Sequence, residues 1–313
     1  MAAIVLVHGI KQSQYSADQL EQKWLPALAG GVRIAGHPNL ADRLWRGSRP
    51  GDLETRMAFY GNLYLDPNAQ GTTPGSDLDE QQQQLTDQLA LAWLTAASER
   101  AADTGDRREA TRQILELTES IDGAQGDRKL LRSAAQGLAR LKWFAPKGFS
   151  VAERFINTSL TEVTRYLTDE TIREQAQQQI LALIGPETRI VIAHSLGSVV
   201  AYEALHRSTQ ALTLVTLGSP LALQNIIYPK LRPQPTTVPA TLTHWYNIAA
   251  RDDLVATFQD FDRYFLPAAG QTLTPNTRII DNGSQPHDAT HYLSKRSLGT
   301  ITAQSLATSL ATD

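Results

Sequence analysis

Residues 191–200, with the sequence VIAHSLGSVV, constrain the fold of this chain more than any other segment. A run of β-branched residues leads to a serine between small residues, and an apolar stretch follows. β-Branched residues favour strands, the small residues permit a sharp turn, and the apolar stretch is typical of a buried helix. The pattern predicts a strand, a turn and a helix with the Ser195 hydroxyl at the turn, which is the arrangement of a nucleophile elbow.

Small residues lie two positions before and two positions after Ser195. The usual elbow pattern is G-x-S-x-G, and here the outer positions are Ala193 and Gly197. A nucleophile in a strained conformation brings these neighbours close together, so that the alanine methyl makes the turn tighter but tolerable. The alternative is that Ser195 is an ordinary helix N-cap. The strand before it and the helix after it favour the nucleophile.

A serine hydroxyl needs a general base near neutral pH, and the base needs a carboxylate that orients it. With a nucleophile elbow, the order along the chain is serine, acid and histidine. The histidines after Ser195 are His206, His244, His287 and His291. Of these, His206 and His244 belong to a predicted helix and a predicted strand, whereas His287 lies in a loop after the last strand. We therefore favour His287 as the base, with His291 as the alternative.

The acid is expected after the strand that ends at Ile248. Asp252 and Asp253 both qualify, and Asp253 is favoured because the apolar residues after it can anchor the loop. Asp281 and Asp288 are weaker candidates, since an acid from the preceding loop matches the chain order better.

The oxyanion that forms during acyl transfer needs two backbone N–H donors. One is expected at Leu196, directly after the serine, and the other at Ile10, after the first strand. Gly9 lets the backbone approach a substrate closely at this point. His8, at the end of the same strand, is interpreted as a support for the loop.

Strands and helices alternate along most of the 313 residues, of which 42% are hydrophobic. Strands are predicted at Ile4–Val7, Arg56–Tyr60, Arg189–Ala193, Leu212–Leu217, Leu242–Ile248 and Thr277–Asp281. Helical patterns separate them, so the predicted fold class is α/β, with a mostly parallel central sheet and helices on both faces.

Capping signals predict where helices begin and end. The segment Ser16–Gln19 is a capping box, and the helix that it opens is expected to end at Gly30–Gly31. Residues 35–52, rich in glycine, proline and charged residues, are interpreted as a loop. Thr168 is expected to cap the helix that follows it.

No strand pattern occurs between residues 79 and 167. Four helices are predicted there, at Gln81–Arg100, Arg112–Ser120, Leu130–Phe144 and Phe149–Leu167. We interpret this segment as an all-helical cap inserted over the carboxyl edge of the sheet, within a single domain of residues 1–313. The acyl group of a substrate would then bind in an apolar pocket under the cap.

Composition and motifs argue against several function classes. The chain has no cysteine, so it contains neither disulfides nor a thiolate metal site. The net charge of −3 gives no basic field that would attract nucleic acid. There is no helical zinc motif, phosphate loop or dinucleotide fingerprint, so no metal and no cofactor is predicted.

The cellular location is expected to be cytoplasmic. The apolar start of the chain is too short for a signal peptide and lacks a basic leader, and no apolar run reaches 18 residues. Two short segments, Leu138–Phe144 and Lys147–Phe149, mix basic and aromatic residues. Contact with a membrane surface is the alternative there, and ordinary helix packing is favoured.

The chain resembles the α/β-hydrolase superfamily in five segments: His8–Gly9, Ala193–Gly197, Leu217–Pro220, Asn247–Ala256 and His287. They are spread over most of the chain apart from the helical insertion. Within the superfamily the chain is similar to the lipase-like branch that includes GPI inositol-deacylases. It is most similar to uncharacterised bacterial α/β hydrolases, in Val163–Leu167, Ala193–Glu203 and His287–Leu293.

This resemblance implies a Ser195–Asp253–His287 triad and an esterase or lipase activity. One departure from the family pattern is alanine in place of glycine at position 193. The expected substrate is a carboxylic ester, with a lipid-like ester as the first choice, although thioesters, amides and peptides use the same machinery. The rival class is a non-catalytic interaction protein whose helical insertion binds a partner.

Overall fold

The computed structural model describes residues 2–45, 53–65, 78–121, 127–144, 149–256 and 261–307. It describes the side chains of these residues except at 118–121, 127–133 and 149–151. The chain divides into two compact units. The helical unit is Tyr64–Ile172, and the sheet unit combines Met1–Leu63 with Arg173–Asp313.

The sheet unit contains six parallel strands. They are β1 (Ile4–Val7), β2 (Thr55–Ala58), β3 (Ile190–His194), β4 (Leu212–Leu217), β5 (Leu242–Ala250) and β6 (Asn276–Ile280). Their spatial order is β2-β1-β3-β4-β5-β6, and every neighbouring pair is parallel. The predicted α/β class is therefore confirmed, and each strand ends within two residues of its predicted bounds.

Eleven α-helices occur in the described part of the chain. They are α1 (Ala17–Ile34), α2 (Pro38–Trp45), α3 (Glu80–Arg100), α4 (Thr104–Ile121), α5 (Asp127–Arg140), α6 (Phe149–Thr168), α7 (Glu170–Leu181), α8 (Leu196–Leu205), α9 (Phe261–Tyr264), α10 (Ala289–Leu293) and α11 (Arg296–Ala307). Short 3-10 turns lie at Gly61–Tyr64 and Tyr228–Lys230.

Helices cover both faces of the sheet. On one face, Ile4 of β1 belongs to a buried cluster that includes Leu28 of α1 and Ile301 of α11. Ile248 of β5 belongs to the same cluster. Because side chains alternate between the faces of a strand, Trp245, three residues before Ile248, lies on the opposite face. There it packs against Tyr202 of α8, with the ring centroids 5.7 Å apart. Because β1, β3 and β4 are buried at every residue, they carry the continuous apolar runs seen in the sequence.

Helix α1 does not end at Gly30–Gly31 as expected but continues to Ile34. Its capping box at Ser16 is present as predicted. The chain leaves the helix at Gly36, which has a φ of +97°. Gly31 serves packing instead, since a Cβ there would lie 2.5 Å from the carbonyl oxygen of Leu293. A glycine inside a helix was therefore mistaken for a helix end.

Two other local expectations were wrong. Residues 38–45, expected to be part of a loop, form helix α2, which begins with Pro38. Proline is well tolerated there, because the first N–H of a helix has no partner within it. Helix α7 is capped by Asp169 rather than by Thr168, since Asp169 Oδ1 accepts from the Thr171 N–H at 2.9 Å. The Thr168 hydroxyl bonds backward, to a carbonyl of its own helix α6.

The helical unit contains the four predicted helices, α3 to α6. Two of them differ by several residues in their bounds, because α4 begins at Thr104 rather than at residue 112, and α5 ends at Arg140 rather than at Phe144. A buried hydrogen bond of 2.9 Å between the Thr86 and Thr164 hydroxyls joins α3 to α6. Phe144 is buried and stacks on Trp93, with the ring centroids 6.1 Å apart. Phe144 therefore packs inside this unit, as helix packing predicts.

The remaining expectations for residues 79–167 concern the basic and aromatic segment and the role of the insertion as a cap. Lys147 and the Phe149 side chain, which belong to the basic and aromatic segment, lie outside the described residues. The role of the insertion as a cap stays a prediction. Over the described ranges, no helix combines the length and the hydropathy needed to cross a membrane.

The neighbouring glycines of α1 give a matched test of this packing. Gly31→Ala should lower the free energy of unfolding by about 1–3 kcal/mol, because the added methyl group meets the backbone of residues 293–295. Gly30→Ala should raise it by about 0.5–1 kcal/mol, because a Cβ at residue 30 has no heavy atom within 4 Å and alanine favours a helix. Urea unfolding of both variants measures the difference, and equal midpoints would contradict this account.

Candidate active site

The predicted site residues meet at the carboxyl ends of β1 and β3. These strands are neighbours, but the chain continues from β1 to β2 on one side and from β3 to β4 on the other. The point where the strand order reverses leaves a crevice outside the carboxyl ends of the strands, and open α/β sheets bind ligands there. Gly9 follows β1 and Ser195 follows β3, so both lie at this crevice.

Ser195 has the strained backbone expected of an elbow. Its φ of 55° and ψ of −130° lie where residues other than glycine are rare. The Ser195 N–H donates to the Leu217 carbonyl at 2.9 Å, which joins the turn to the end of β4. The Ser195 side chain makes no capping hydrogen bond to α8. Ser195 therefore occupies the N-cap position of α8 without capping the helix through its side chain, unlike an ordinary N-cap serine.

Two glycines allow the elbow to lie directly against the end of β1. A Cβ at Gly197 would overlap the carbonyl oxygen of His8, and a Cβ at Gly9 would lie 2.6 Å from the Ser195 Cβ. The requirement for a small residue at position 197 thus comes from β1. Any side chain at either glycine would push the serine away from that strand.

Ser195, His287 and Asp253 form a continuous chain of hydrogen bonds. The Ser195 Oγ lies 3.0 Å from the His287 Nε2. The His287 Nδ1 lies 2.8 Å from Oδ2 and 3.0 Å from Oδ1 of Asp253. A carboxylate only accepts hydrogen bonds, so Nδ1 carries the ring proton and Nε2 is free to accept one from the serine. Asp253 is fully buried, whereas the His287 side chain is 18% exposed.

The buried carboxylate of Asp253 has further donors besides His287. Its Oδ1 accepts from the N–H groups of Val255 and Ala256 at 3.0 and 3.2 Å. Its Oδ2 accepts from the hydroxyl of Tyr292 at 2.7 Å. Because a buried charge is costly without such partners, these bonds explain how an ionised carboxylate is stabilised here.

Sequence reasoning missed two residues next to Asp253. One is Tyr292, whose hydroxyl also accepts from the Ala250 N–H at 2.8 Å. The other is Gly218, which has a φ of +55° and where a Cβ would lie 2.8 Å from Asp253 Oδ2. Both belong to segments that carried the family resemblance, and a glycine directly after a strand was the available signal.

The alternative candidates lie elsewhere. His291 donates from Nδ1 to the Asn282 carbonyl at 2.9 Å, so it stabilises the loop before α10. Asp281 and Asp288 accept hydrogen bonds from the backbone of their own turns, at 2.6 and 2.8 Å. Asp252 is partly exposed, while its neighbour Asp253 bonds to His287. The structure thus brings His287 and Asp253, the favoured candidates, together with Ser195.

His8 has the supporting position that the sequence suggested. Its Nδ1 donates to the Gly9 carbonyl at 2.7 Å, and its Nε2 accepts from the Tyr60 N–H at 3.1 Å. Because the peptide unit is planar, a bond to the Gly9 carbonyl also fixes the direction of the Ile10 N–H. Leu196 is the first residue of α8, where an N–H has no partner within the helix. Leu196 directly follows Ser195, and Ile10 directly follows Gly9, which packs against the Ser195 side chain.

Two buried imidazoles near the site are held neutral. Burial lowers the pKa of His8 to about 4. Burial, together with repulsion from His287, lowers the pKa of His194 to about 3. Both rings are therefore uncharged near neutral pH. Among the residues that the structure describes, no three histidine or carboxylate side chains are grouped so that they could hold a metal ion.

Comparison of the chain with protein-family models, with curated proteins and with solved structures finds no match. Three features of the sheet unit indicate its chemistry: the strained serine, the hydrogen-bonded histidine and carboxylate, and the crevice at the point where the strand order reverses.

Tyr292→Phe tests the environment of the carboxylate. The variant loses the donor to Asp253 and leaves the Ala250 N–H without its acceptor, so the free energy of unfolding should fall by about 1–3 kcal/mol. Tyr15→Phe, at a side chain that is 47% exposed, is the control and should change it by less than about 0.5 kcal/mol. Urea unfolding measures both, and equal effects would refute the assignment of these bonds.

Acid should destabilise the fold through His8 and His194. In the unfolded chain both rings have the ordinary pKa of 6.5, and in the folded chain about 4 and 3. Between these values only the unfolded state binds the protons, so stability falls as the pH falls from about 6.5. Each ring should contribute about 1.4 kcal/mol per pH unit in that window.

Unfolding at pH 7 and pH 5 measures this dependence. In His194→Gln, the difference in the free energy of unfolding between pH 7 and pH 5 should be smaller by the contribution of one imidazole ring. His244→Gln, at an exposed histidine of β5, is the control and should leave the change as in the wild type. An unchanged pH dependence in His194→Gln would contradict the lowered pKa of His194 in the folded protein.

Proposed function

We propose that this protein is a serine hydrolase that cleaves a carboxylic ester through an acyl-enzyme intermediate. The observation that carries the proposal is the hydrogen-bonded series of Ser195, His287 and Asp253. A serine with a purely structural role in a loop does not need a strained backbone, a histidine that accepts from its hydroxyl, and a buried carboxylate that is bonded to that histidine. This combination is what nucleophilic catalysis by a hydroxyl requires.

In the proposed reaction the Ser195 Oγ attacks the carbonyl carbon of the ester. The His287 Nε2 accepts the hydroxyl proton, and the resulting imidazolium is stabilised by Asp253 at Nδ1. The carbonyl oxygen becomes negatively charged and accepts from the N–H groups of Ile10 and Leu196. Collapse of the tetrahedral intermediate expels the alkoxide, which takes the proton from Nε2 and leaves as an alcohol.

Deacylation uses the same groups with water in place of the alcohol. His287 accepts a proton from the water, the hydroxide adds to the acyl carbon, and Ser195 leaves with the proton returned from Nε2. The products are a carboxylic acid and an alcohol, and no cofactor or metal takes part.

We further propose that the sheet unit has the α/β-hydrolase fold and belongs to its lipase-like branch. The order of the serine, acid and histidine along the chain supports this, as does the position of Ser195 between a strand and a helix of a parallel sheet. A lipid-like ester is the proposed substrate. Thioesters and amides would react through the same groups, so the acyl and leaving groups have to be measured.

A fluorophosphonate probe tests the class of enzyme. We expect labelling of the wild type and complete loss of labelling in Ser195→Ala. Hydrolysis of p-nitrophenyl esters from acetate to palmitate then measures the preferred chain length, with Ser195→Ala as the blank. A folded wild-type protein that neither reacts with the probe nor cleaves any ester would refute the proposal and favour the non-catalytic alternative.

The two adjacent aspartates give a matched test of the acid. Asp253→Asn should lower kcat by about 10³- to 10⁴-fold, because the amide no longer stabilises the charged imidazole or selects its tautomer. Asp252→Asn should retain activity within about threefold, because Asp253 is the carboxylate that bonds to His287. Steady-state kinetics on one ester measures both, and a reversed order of the two effects would exchange their roles.

A further inference from the structure

His194, the residue before Ser195, forms a hydrogen bond that the reaction described above does not use. Its Nε2 lies 2.9 Å from the backbone carbonyl oxygen of His287. A carbonyl oxygen only accepts hydrogen bonds, so the His194 Nε2 carries the proton. The side chain is mostly buried, with 8% of the residue exposed. A buried neutral imidazole therefore connects the elbow to the backbone of the predicted base.

Aromatic neighbours fix the orientation of the His194 ring. Its centroid lies 4.7 Å from that of His287, 5.9 Å from that of Tyr292 and 6.2 Å from that of Trp24. The Trp24 contact is edge-on, which suits the positive edge and negative face of aromatic rings. The N–H of His194 consequently has a defined direction toward the His287 carbonyl.

The base is carried by a loop, whereas the serine is carried by the central sheet. Residues 281–288 connect β6 to α10, and many of their side chains are partly or fully exposed. Two hydrogen bonds of 2.9 Å, from Asn282 to the Pro286 carbonyl and from His291 to the Asn282 carbonyl, organise this loop from within. Neither of them fixes the distance from the loop to Ser195.

We propose that His194 is a positioning residue that holds the backbone of His287 at the distance from which its ring reaches the Ser195 hydroxyl. His194 and Ser195 are consecutive, so two hydrogen bonds close a small ring: Ser195 Oγ to His287 Nε2, and His194 Nε2 to the His287 carbonyl. The serine and the base then move together. The catalytic consequence rests on the proposed hydrolase function, whereas the hydrogen bond itself does not.

Amide side chains can separate the role of the donor from that of the ring. The side-chain nitrogen of glutamine takes a position close to that of Nε2 of histidine, and the shorter asparagine places its nitrogen near Nδ1. His194→Gln should therefore keep a donor to the His287 carbonyl, whereas His194→Asn is too short to reach it. His194→Met has the length of glutamine without a donor, and it serves as a second variant if the asparagine variant does not fold.

The test combines kinetics with hydrogen exchange. We expect kcat for a p-nitrophenyl ester to fall about 10- to 100-fold in His194→Asn and His194→Met, because a misplaced base cannot reach the serine. KM should change by less than about threefold, since ground-state binding does not need the base. His194→Gln should retain kcat within about fivefold of the wild type. Loss of kcat in His194→Gln equal to that in the other folded variants would overturn the proposal, as would wild-type kcat in His194→Asn.

Amide hydrogen exchange of residues 281–288 reports on the hydrogen bond from His194 to the His287 carbonyl independently of catalysis. Exchange should be faster in His194→Asn and His194→Met than in the wild type and in His194→Gln, and equal exchange in all four proteins would overturn the proposed bond. Fluorophosphonate labelling of the wild type is measured in parallel. Absence of that labelling would refute the hydrolase function, and the exchange data would still decide whether His194 restrains the loop.

Discussion

The close approach of the β3–α8 turn to the end of β1 is the contact on which the site depends. Only glycine at positions 197 and 9 permits it, because a Cβ at either residue would overlap the opposite backbone or the serine itself. The turn at Ser195 has to be sharp, and the cost is a φ of 55° on a residue with a side chain. As a result Ser195, the start of α8 and the residues after β1 lie together at the crevice.

The buried carboxylate of Asp253 is the second constraint on the geometry of the site. Asp253 is fully buried, and an ionised group in such a place is stable only when several donors face it. The structure supplies two backbone N–H groups, the Tyr292 hydroxyl and the His287 ring. The absence of a side chain at Gly218 leaves the space in which these groups meet. The same bonds that stabilise the charge also orient the imidazole.

Sequence patterns predicted the elements of the sheet well, because buried parallel strands are continuous apolar runs. They failed where a residue type is compatible with two structural roles, and where a contact joins residues that are distant in the chain. Gly31 was mistaken for a helix end, although it lies inside α1 and allows close packing against residues 293–295. Pro38 was assigned to a loop, although it begins α2. Tyr292 went unnoticed because its partner Asp253 is far from it in the chain.

The sequence alone predicted the α/β class, six strands in a mostly parallel sheet, and Ser195, Asp253 and His287 as the favoured candidates. These follow from local patterns and from chain order, which the residues carry with them. Only the tertiary structure decided that His287 rather than His291 reaches Ser195, and that Asp253 rather than Asp252 reaches His287. It also revealed the bond from His194 to the His287 carbonyl. Such choices depend on distances between segments that are remote in the chain, and those distances arise only when the core packs.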